Sequence, residues 1–219
     1  ILEKSAYIAQ AEENRTTEIS IPTERGIILD RNGVVLARNA ASYNVTITPA
    51  ELPGDPTEVP LPGAILQIYR ELSQLIDIPV SNGIMNEETV RLFTPCRTDF
   101  GITEIAVIAD TNAPYRPVRV ACDVDEETAM VVSENSSDWP GVDIEIEPIR
   151  EYPTGELTSE VVGFLGPIPA ALEEEYRDLG FVPNRDKVGY AGVEASLNDE
   201  LAGRNGLRVV EVDVAGQQL

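Results

Sequence analysis

The sequence predicts an α+β fold of mixed strands and short helices in two lobes. Residues 50–146 form a compact head lobe, inserted between flanking segments 1–49 and 147–219. Three observations predict it. The N-terminal piece is mostly alternating, β-branched sequence, and the middle mixes helical with strand-like spacing. The last piece carries short helical stripes and then alternates again.

At the N-terminus, Ile1 to Asn14 is a helix-like run, Thr17 to Ile21 alternates as a strand does, and Gly26 to Asp30 is a second apolar run. Asp30-Arg31-Asn32-Gly33 supplies turn chemistry, because Asn-Gly accepts the positive φ angles of a type I′ hairpin. Val34 to Ala37 is then the returning strand and Tyr43 to Thr48 another. Five prolines from Pro49 to Pro62 make an irregular connection.

In the head lobe, Ile65, Ile68, Leu72 and Leu75 or Ile76 fall on one helical stripe. Asn86-Glu87-Glu88-Thr89 opens a short helix through Phe93. Glu104 to Ala109 and Val118 to Cys122 read as strands. Asp123 and Glu126 form a capping pair for a helix through about Glu134. Pro140-Gly141 breaks the chain before Val142 to Ile146, a strand with a wet outer face. Beyond it, Leu157, Val161 and Phe164 fit one helical face, and Leu172, Tyr176 and Leu179 another, ended by Gly180 as a C′ residue. Val193, Leu197 and Leu201 repeat every four residues before Gly203, and Leu207 to Val214 closes with a strand.

Composition narrows the function. A chain of 219 residues, 42% hydrophobic and 25% charged, can bury a core, and its composition argues against wholesale disorder. A net charge of -22 opposes binding to nucleic acid or to an anionic membrane surface, and its first consequence is solubility. No stretch approaches the ~20 apolar residues of a membrane span. The abrupt ends, at Ile1 and Leu219, suggest a piece cut from something longer, whose membrane anchor could have been removed. With no histidine, Ser-His-Asp and Cys-His catalysis and His-ligated zinc are excluded. Cys96 and Cys122 are open to two readings, a disulfide in an oxidising compartment or buried free thiols.

No catalytic constellation stands in the sequence. Phosphate-loop and nucleophile-elbow motifs are missing. Lysine occurs only at Lys4 and Lys187, so no Ser-x-x-Lys pair exists, and Lys-Thr-Gly is absent too. Three acidic clusters remain: Asp123-Asp125-Glu126-Glu127, Glu145 with Glu147, and Glu173-Glu174-Glu175. None has the calcium-loop spacing, and a solvated surface is the expected reading of each, with Glu145 and Glu147 pointing to solvent.

Three separated blocks carry more. The first is Arg25-Gly26-Ile27-Ile28-Leu29-Asp30-Arg31-Asn32-Gly33, continuing to Ala37. The second is Arg150-Glu151-Tyr152-Pro153-Thr154-Gly155, running on to Val162-Gly163-Phe164-Leu165-Gly166. The third is Gly189-Tyr190-Ala191-Gly192-Val193-Glu194, with Gly203-Arg204-Asn205-Gly206 behind it. In this order they resemble the N-terminal pedestal, or "dimerisation", domain of class B penicillin-binding proteins, over nearly the whole chain. Two departures stand out. Glu160 replaces a histidine that the family usually has, and Tyr190, Ala191 and Val193 replace residues of the third block.

The resemblance implies an elongated, non-catalytic pedestal that needs no cofactor or metal. It implies a single N-terminal membrane helix before the pedestal, a penicillin-sensitive peptidoglycan transpeptidase domain after it, and a place outside the cytoplasmic membrane. The implied partners are that transpeptidase domain, a SEDS-family glycan polymerase and other elongation or division proteins, with no nucleic acid among them. Gly33, Gly155, Gly163, Gly189, Gly192 and Gly206 are expected to serve turns or close backbone approaches. Some of Arg25, Asp30, Arg31, Arg150 and Glu194 are expected to form a partly buried ion-pair network fixing the N-terminal hairpin to the C-terminal helix. Two rival readings are a carboxylate-dependent peptidoglycan hydrolase and a free-standing periplasmic ligand-binding module.

Overall fold

The computed structural model describes residues 16–183 and 185–211. The helix-like run from Ile1 to Asn14 and the end of the expected closing strand, 212–214, lie outside the described residues. The fold is α+β, and the chain divides into two compact units, Ile1–Ala40 with Pro148–Leu219, and Ala41–Glu147. The first division falls inside a strand rather than in the proline-rich connection. The two strands expected at Val34–Ala37 and Tyr43–Thr48 are one continuous strand, Val35–Ile47, which leaves one unit and enters the other.

In the unit Ile1–Ala40 with Pro148–Leu219, β1 (Thr16–Ile21) pairs antiparallel with β8 (Gly206–Glu211), from Thr16↔Glu211 to Ile21↔Gly206. β2 (Ile28–Leu29) pairs with the first half of β3 (Val35–Ile47). The loop between them is not type I′, because Gly33 alone in it has a positive φ, of 84°. The Asp30 carbonyl accepts from the Gly33 amide, and the Asp30 amide donates to the Val34 carbonyl. That is a three-residue loop closed by a left-handed glycine. The Asp30 carboxylate accepts from the Asn32 and Val34 amides and so stabilises the turn locally.

A 3-10 turn (Gly155–Thr158) leads into α5 (Ser159–Val162), and then β6 (Leu165–Pro167) pairs with β7 (Lys187–Gly189). α6 (Glu173–Asp178), α7 (Gly192–Ser196) and α8 (Asn198–Leu201) are equally short. The stripe Leu157, Val161, Phe164 does not face a core: these residues are 89%, 66% and 55% exposed. A 3-10 turn followed by a single α turn does not hold the 3.6-residue period, and Val162 is the residue that turns inward. Val193, Leu197 and Leu201 likewise span two helices broken at Leu197, so Val193 and Leu201 pack while Leu197 is exposed. The apolar core here is small: Ile28, Ala37 and Val162, with Leu36, Tyr152, Val193 and Leu201 against them.

The unit Ala41–Glu147 holds the larger core. β4 (Val118–Val124) pairs antiparallel with the second half of β3, and β5 (Val142–Glu151) also pairs with β3. α1 (Gly63–Ile76) buries Ile65, Ile68 and Leu72 of the expected stripe, with Leu75 and Ile76 half-buried, and adds Tyr69. α3 (Ile102–Asn112) replaces the strand expected at Glu104 to Ala109. A short apolar run is ambiguous between the two, but Ile102, Ile105, Ala106 and Ala109 stand at helical spacing, and all four are buried.

Asn86 caps α2 (Glu87–Arg91) in a reciprocal capping box with Thr89. Asp125, not Asp123, caps α4 (Glu126–Glu134). The Asp125 carboxylate accepts from the Thr128 amide, whereas Asp123 sits in left-handed backbone with φ 54°. A cap must immediately precede the first helical residue, and Asp123 stands two residues too early. Cys96 and Cys122 form a disulfide, with Cα atoms 5.6 Å apart, that ties the chain after α2 to β4.

The bridge spans 26 residues of sequence, a closure worth about 3 kcal/mol on the chain-entropy account. The denaturant midpoint of this unit should therefore drop when a thiol reductant is added. An unchanged midpoint in the reduced protein would contradict it.

Candidate functional site

The most heavily buried charges of the unit Ile1–Ala40 with Pro148–Leu219 come from the three sequence blocks. Arg25 lies between β1 and β2, Arg150 near the end of β5, and Glu194 in the first turn of α7. The Glu194 side chain is 0% exposed, that of Arg25 8% and that of Arg150 5%. Arg25 Nε donates to Glu194 Oε2 at 2.6 Å, and Arg150 Nε donates to Oε1 at 2.8 Å. One carboxylate is thus held from both sides by residues 169 and 44 positions away.

Further bonds fix the geometry. Arg25 Nη2 donates to the Glu194 carbonyl and to Asn198 Oδ1, which also accepts from the Gly189 amide. Asn39 Nδ2 donates to the Arg25 carbonyl, and the Tyr152 hydroxyl reaches Glu194 Oε1 at 3.4 Å. Burial, and then the negative charge of Glu194, push the Tyr152 hydroxyl above its ordinary pKa.

Glycines let these segments approach. A Cβ on Gly189 would stand 2.0 Å from the Glu194 carbonyl oxygen. One on Gly163, whose φ is 81°, would stand 1.8 Å from that of Ala191. Gly192 similarly abuts the Val161 carbonyl, Gly26 abuts Leu201, Gly166 the Tyr190 ring and Gly203 the Thr23 side chain. Gly33 and Gly155 have open space and serve turns, and Gly206 starts β8 opposite Ile21. Of the five charged residues from which the network was expected to draw some, Arg25, Arg150 and Glu194 come together. Asp30 and Arg31 do not: one braces its own turn and the other is exposed, as is Pro153.

Sequence reasoning missed a second polar node. Arg185 donates to the Ser20 carbonyl and hydroxyl and pairs with Asp186, while Asn205 bonds Asp186, the Gly180 carbonyl and the Thr23 amide. It also missed Asn198, although a position four residues after Glu194 could have flagged it.

The acidic clusters have local partners. Arg119 pairs with both Glu145 and Glu147, so these carboxylates are not simply solvated, and Glu173 pairs with Arg177 one turn on. Glu71 and Asp138 line an open cleft of about 520 Å³ beside Trp139. Glu71 accepts from Gln67 and from Trp139 Nε1, and those bonds hold its carboxyl below the usual range. A glycosidase acid needs its pKa raised, and Glu71 is shifted the other way.

A model of the penicillin-binding protein dimerisation domain family matches residues 20–219. The peptidoglycan D,D-transpeptidase MrdA of Acinetobacter baumannii is 27% identical over 208 residues, covering 94% of this chain and 26% of that protein. The chain thus spans about a quarter of that relative's length. Among solved structures, the complex between penicillin-binding protein PBP2 and MreC from Helicobacter pylori matches with a TM-score of 0.57 and 19% identity, over 93% of this chain and 32% of that one. A chain of a peptidoglycan synthase complex, solved for the coordination of polymerization and crosslinking, matches with a TM-score of 0.53 and 25% identity, over 100% of this chain and 29% of that one.

Removing one partner of a buried ion pair costs about 3–5 kcal/mol. Arg150→Ala should therefore lower the melting temperature by several degrees, and no shift would refute the network. A pH test addresses Glu104 of the other unit. Burial pushes its carboxyl up, but bonds from Ser81 Oγ and the Gly83 and Asn82 amides outweigh burial and hold it below its ordinary value. A depressed folded pKa contributes stability above the unfolded value, about 4.3 for Glu, and loses it as pH falls through the folded value. Acidification also relieves general repulsion, so the difference between wild type and Glu104→Gln is the informative quantity. That difference should be largest near neutrality and shrink below pH ~4; growth on acidification would contradict the assignment.

Proposed function

Because the chain belongs to the penicillin-binding protein dimerisation domain family, we propose that it is a non-catalytic pedestal that positions a peptidoglycan D,D-transpeptidase domain. The observation that carries the reading is the clamp of Arg25 and Arg150 on the buried Glu194. It ties the N-terminal hairpin to the C-terminal helices within one unit, as a rigid support requires. The antiparallel β1–β8 pair adds to this. Thr16 stands opposite Glu211, so the start of β1 and the end of β8 lie side by side. A pedestal can thereby orient a downstream domain relative to an upstream anchor.

In this reading the pedestal stands on the extracytoplasmic face of a bacterial membrane, anchored by a single upstream helix. Its partners are the downstream transpeptidase domain, a SEDS-family glycan polymerase and other cell-wall synthesis proteins. The MreC and synthase complexes that contain its structural neighbours support such contacts. The chemistry is left to the downstream domain, since this sequence has no histidine and no Ser-x-x-Lys pair. The motif residues are then structural: Arg25, Arg150, Glu194 and the close-approach glycines hold the support together.

Labelled penicillin tests the division of labour. This chain should remain unlabelled, and covalent acylation of it would overturn the proposal. In the protein extended through the transpeptidase domain, Arg150→Ala should leave acylation intact while lowering cross-linked product. Unchanged cross-linking would show that the clamp does not serve catalysis.

A further inference from the structure

The apolar stripe that sequence periodicity turns toward a core faces outward instead. Leu157 is 89% exposed, Val161 66%, Phe164 55% and Tyr190 45%. Leu157 lies on the 3-10 turn and Val161 on the single α turn that lead into Phe164, whose ring stacks on Tyr190 with centroids 5.9 Å apart. The stripe is also held in place. The Tyr190 hydroxyl donates to the Pro167 carbonyl, the Tyr190 amide to the Phe164 carbonyl, and Gly166 lies flat beneath the Tyr190 ring. Large apolar side chains turned outward beside a fixed Phe164–Tyr190 pair mark a docking surface rather than a disordered loop.

Charge selects the occupant. Glu156 and Glu160, both exposed, directly precede Leu157 and Val161 and flank the stripe. The nearest lysine in sequence, Lys187, sits at the far end of the β6–β7 pair, opposite Pro167 rather than Leu165. A second copy of this chain would bring another -22 charges against the same face, and an anionic lipid surface would be repelled likewise. We propose that this stripe docks a partner polypeptide segment, an amphipathic helix whose apolar face is flanked by lysine or arginine. The proposal deepens the partner-contact part of the pedestal reading and rests on it. Apolar contact supplies the affinity, and the flanking carboxylates supply orientation and discrimination against acidic segments.

A synthetic helix of about 18 residues, roughly five turns, serves as the probe, with leucines on one face and lysines on both flanks. Its counterpart carries glutamates in place of the lysines. Titration calorimetry should show the lysine helix binding, more weakly at ~0.15 M than at ~0.01 M ionic strength, and the glutamate helix failing to bind. Leu157→Ser with Val161→Ser should weaken binding about tenfold or more while leaving the melting temperature unchanged, because both residues are exposed. Glu156→Lys with Glu160→Lys, which keeps the apolar row, should weaken it as well.

The proposal is overturned if the Ser variant binds like wild type, which would mean attraction by net charge alone. It is equally overturned if both helices bind alike or neither binds. Self-association abolished by the Ser variant would instead identify a second copy, and capture by phosphatidylglycerol vesicles a membrane; either outcome sinks it. Penicillin labelling and cross-linking do not depend on this stripe, so its failure leaves the pedestal reading to its own test.

Discussion

Taking the Glu194 carboxylate fully out of water costs several kcal/mol, and the cost is recovered only if cations and donors surround it in fixed geometry. Arg25 and Arg150 meet that requirement from separate stretches of the sequence, and Asn198, Tyr152 and Asn39 complete the surroundings. Most features that distinguish this unit stem from the requirement. The guanidiniums reach one carboxylate only if the bend before β2, the end of β5 and the start of α7 converge. They converge only if the Gly189 backbone can lie against the Glu194 carbonyl with no Cβ between them.

The two units are stabilised differently. In Ala41–Glu147, helices α1 and α3 and strands β3 and β4 bury a continuous set of branched and aromatic side chains, and one disulfide adds a covalent tie. Among the described residues, the other unit has a central cluster of only three buried apolar residues, Ile28, Ala37 and Val162, and helices of four to six residues. Helices that short are not stable by propensity. Directional polar contacts replace the missing core: the Glu194 clamp on one side, and the Arg185–Asp186–Asn205 node gripping Ser20 and Thr23 on the other. Directional bonds specify one arrangement where a handful of aliphatic contacts would allow several. A support that must hold its direction gains from that.

Where a segment has a strong period, its structure was legible. The stripe of α1, the Asn86 cap and the alternating strands at either end of the chain could all be read from spacing alone. Where the period is short, the sequence misled. The apolar run from Glu104 to Ala109 suits a buried strand or a buried helix equally, and tertiary packing chose the helix. Leu157, Val161 and Phe164 look like a buried face only if the helix continues, and here it is a 3-10 turn and one α turn. Among the site residues, the separated blocks pointed to Arg25, Arg150 and Glu194 together. Nothing in local spacing could show that Asp30 and Arg31, in the same block as Arg25, would turn away, because a side chain's direction at a bend depends on the turn type. Arg185, Asp186 and Asn205 carry no pattern at all; their partners lie at Ser20 and Thr23, more than 160 positions away for Arg185 and Asn205.

The buried Glu194 carboxylate joins the N-terminal hairpin and the C-terminal helices into a single cooperative element. Native-state hydrogen exchange of Glu194→Gln against wild type tests it most directly. The Gly26 amide, bonded to the Leu201 carbonyl, and the Gly189 amide, bonded to Asn198, should lose protection together while the Ile105 amide in the other unit keeps its own. If the Gly26 and Gly189 amides exchange as slowly as in wild type, the hairpin and helices are held by something else and the account fails.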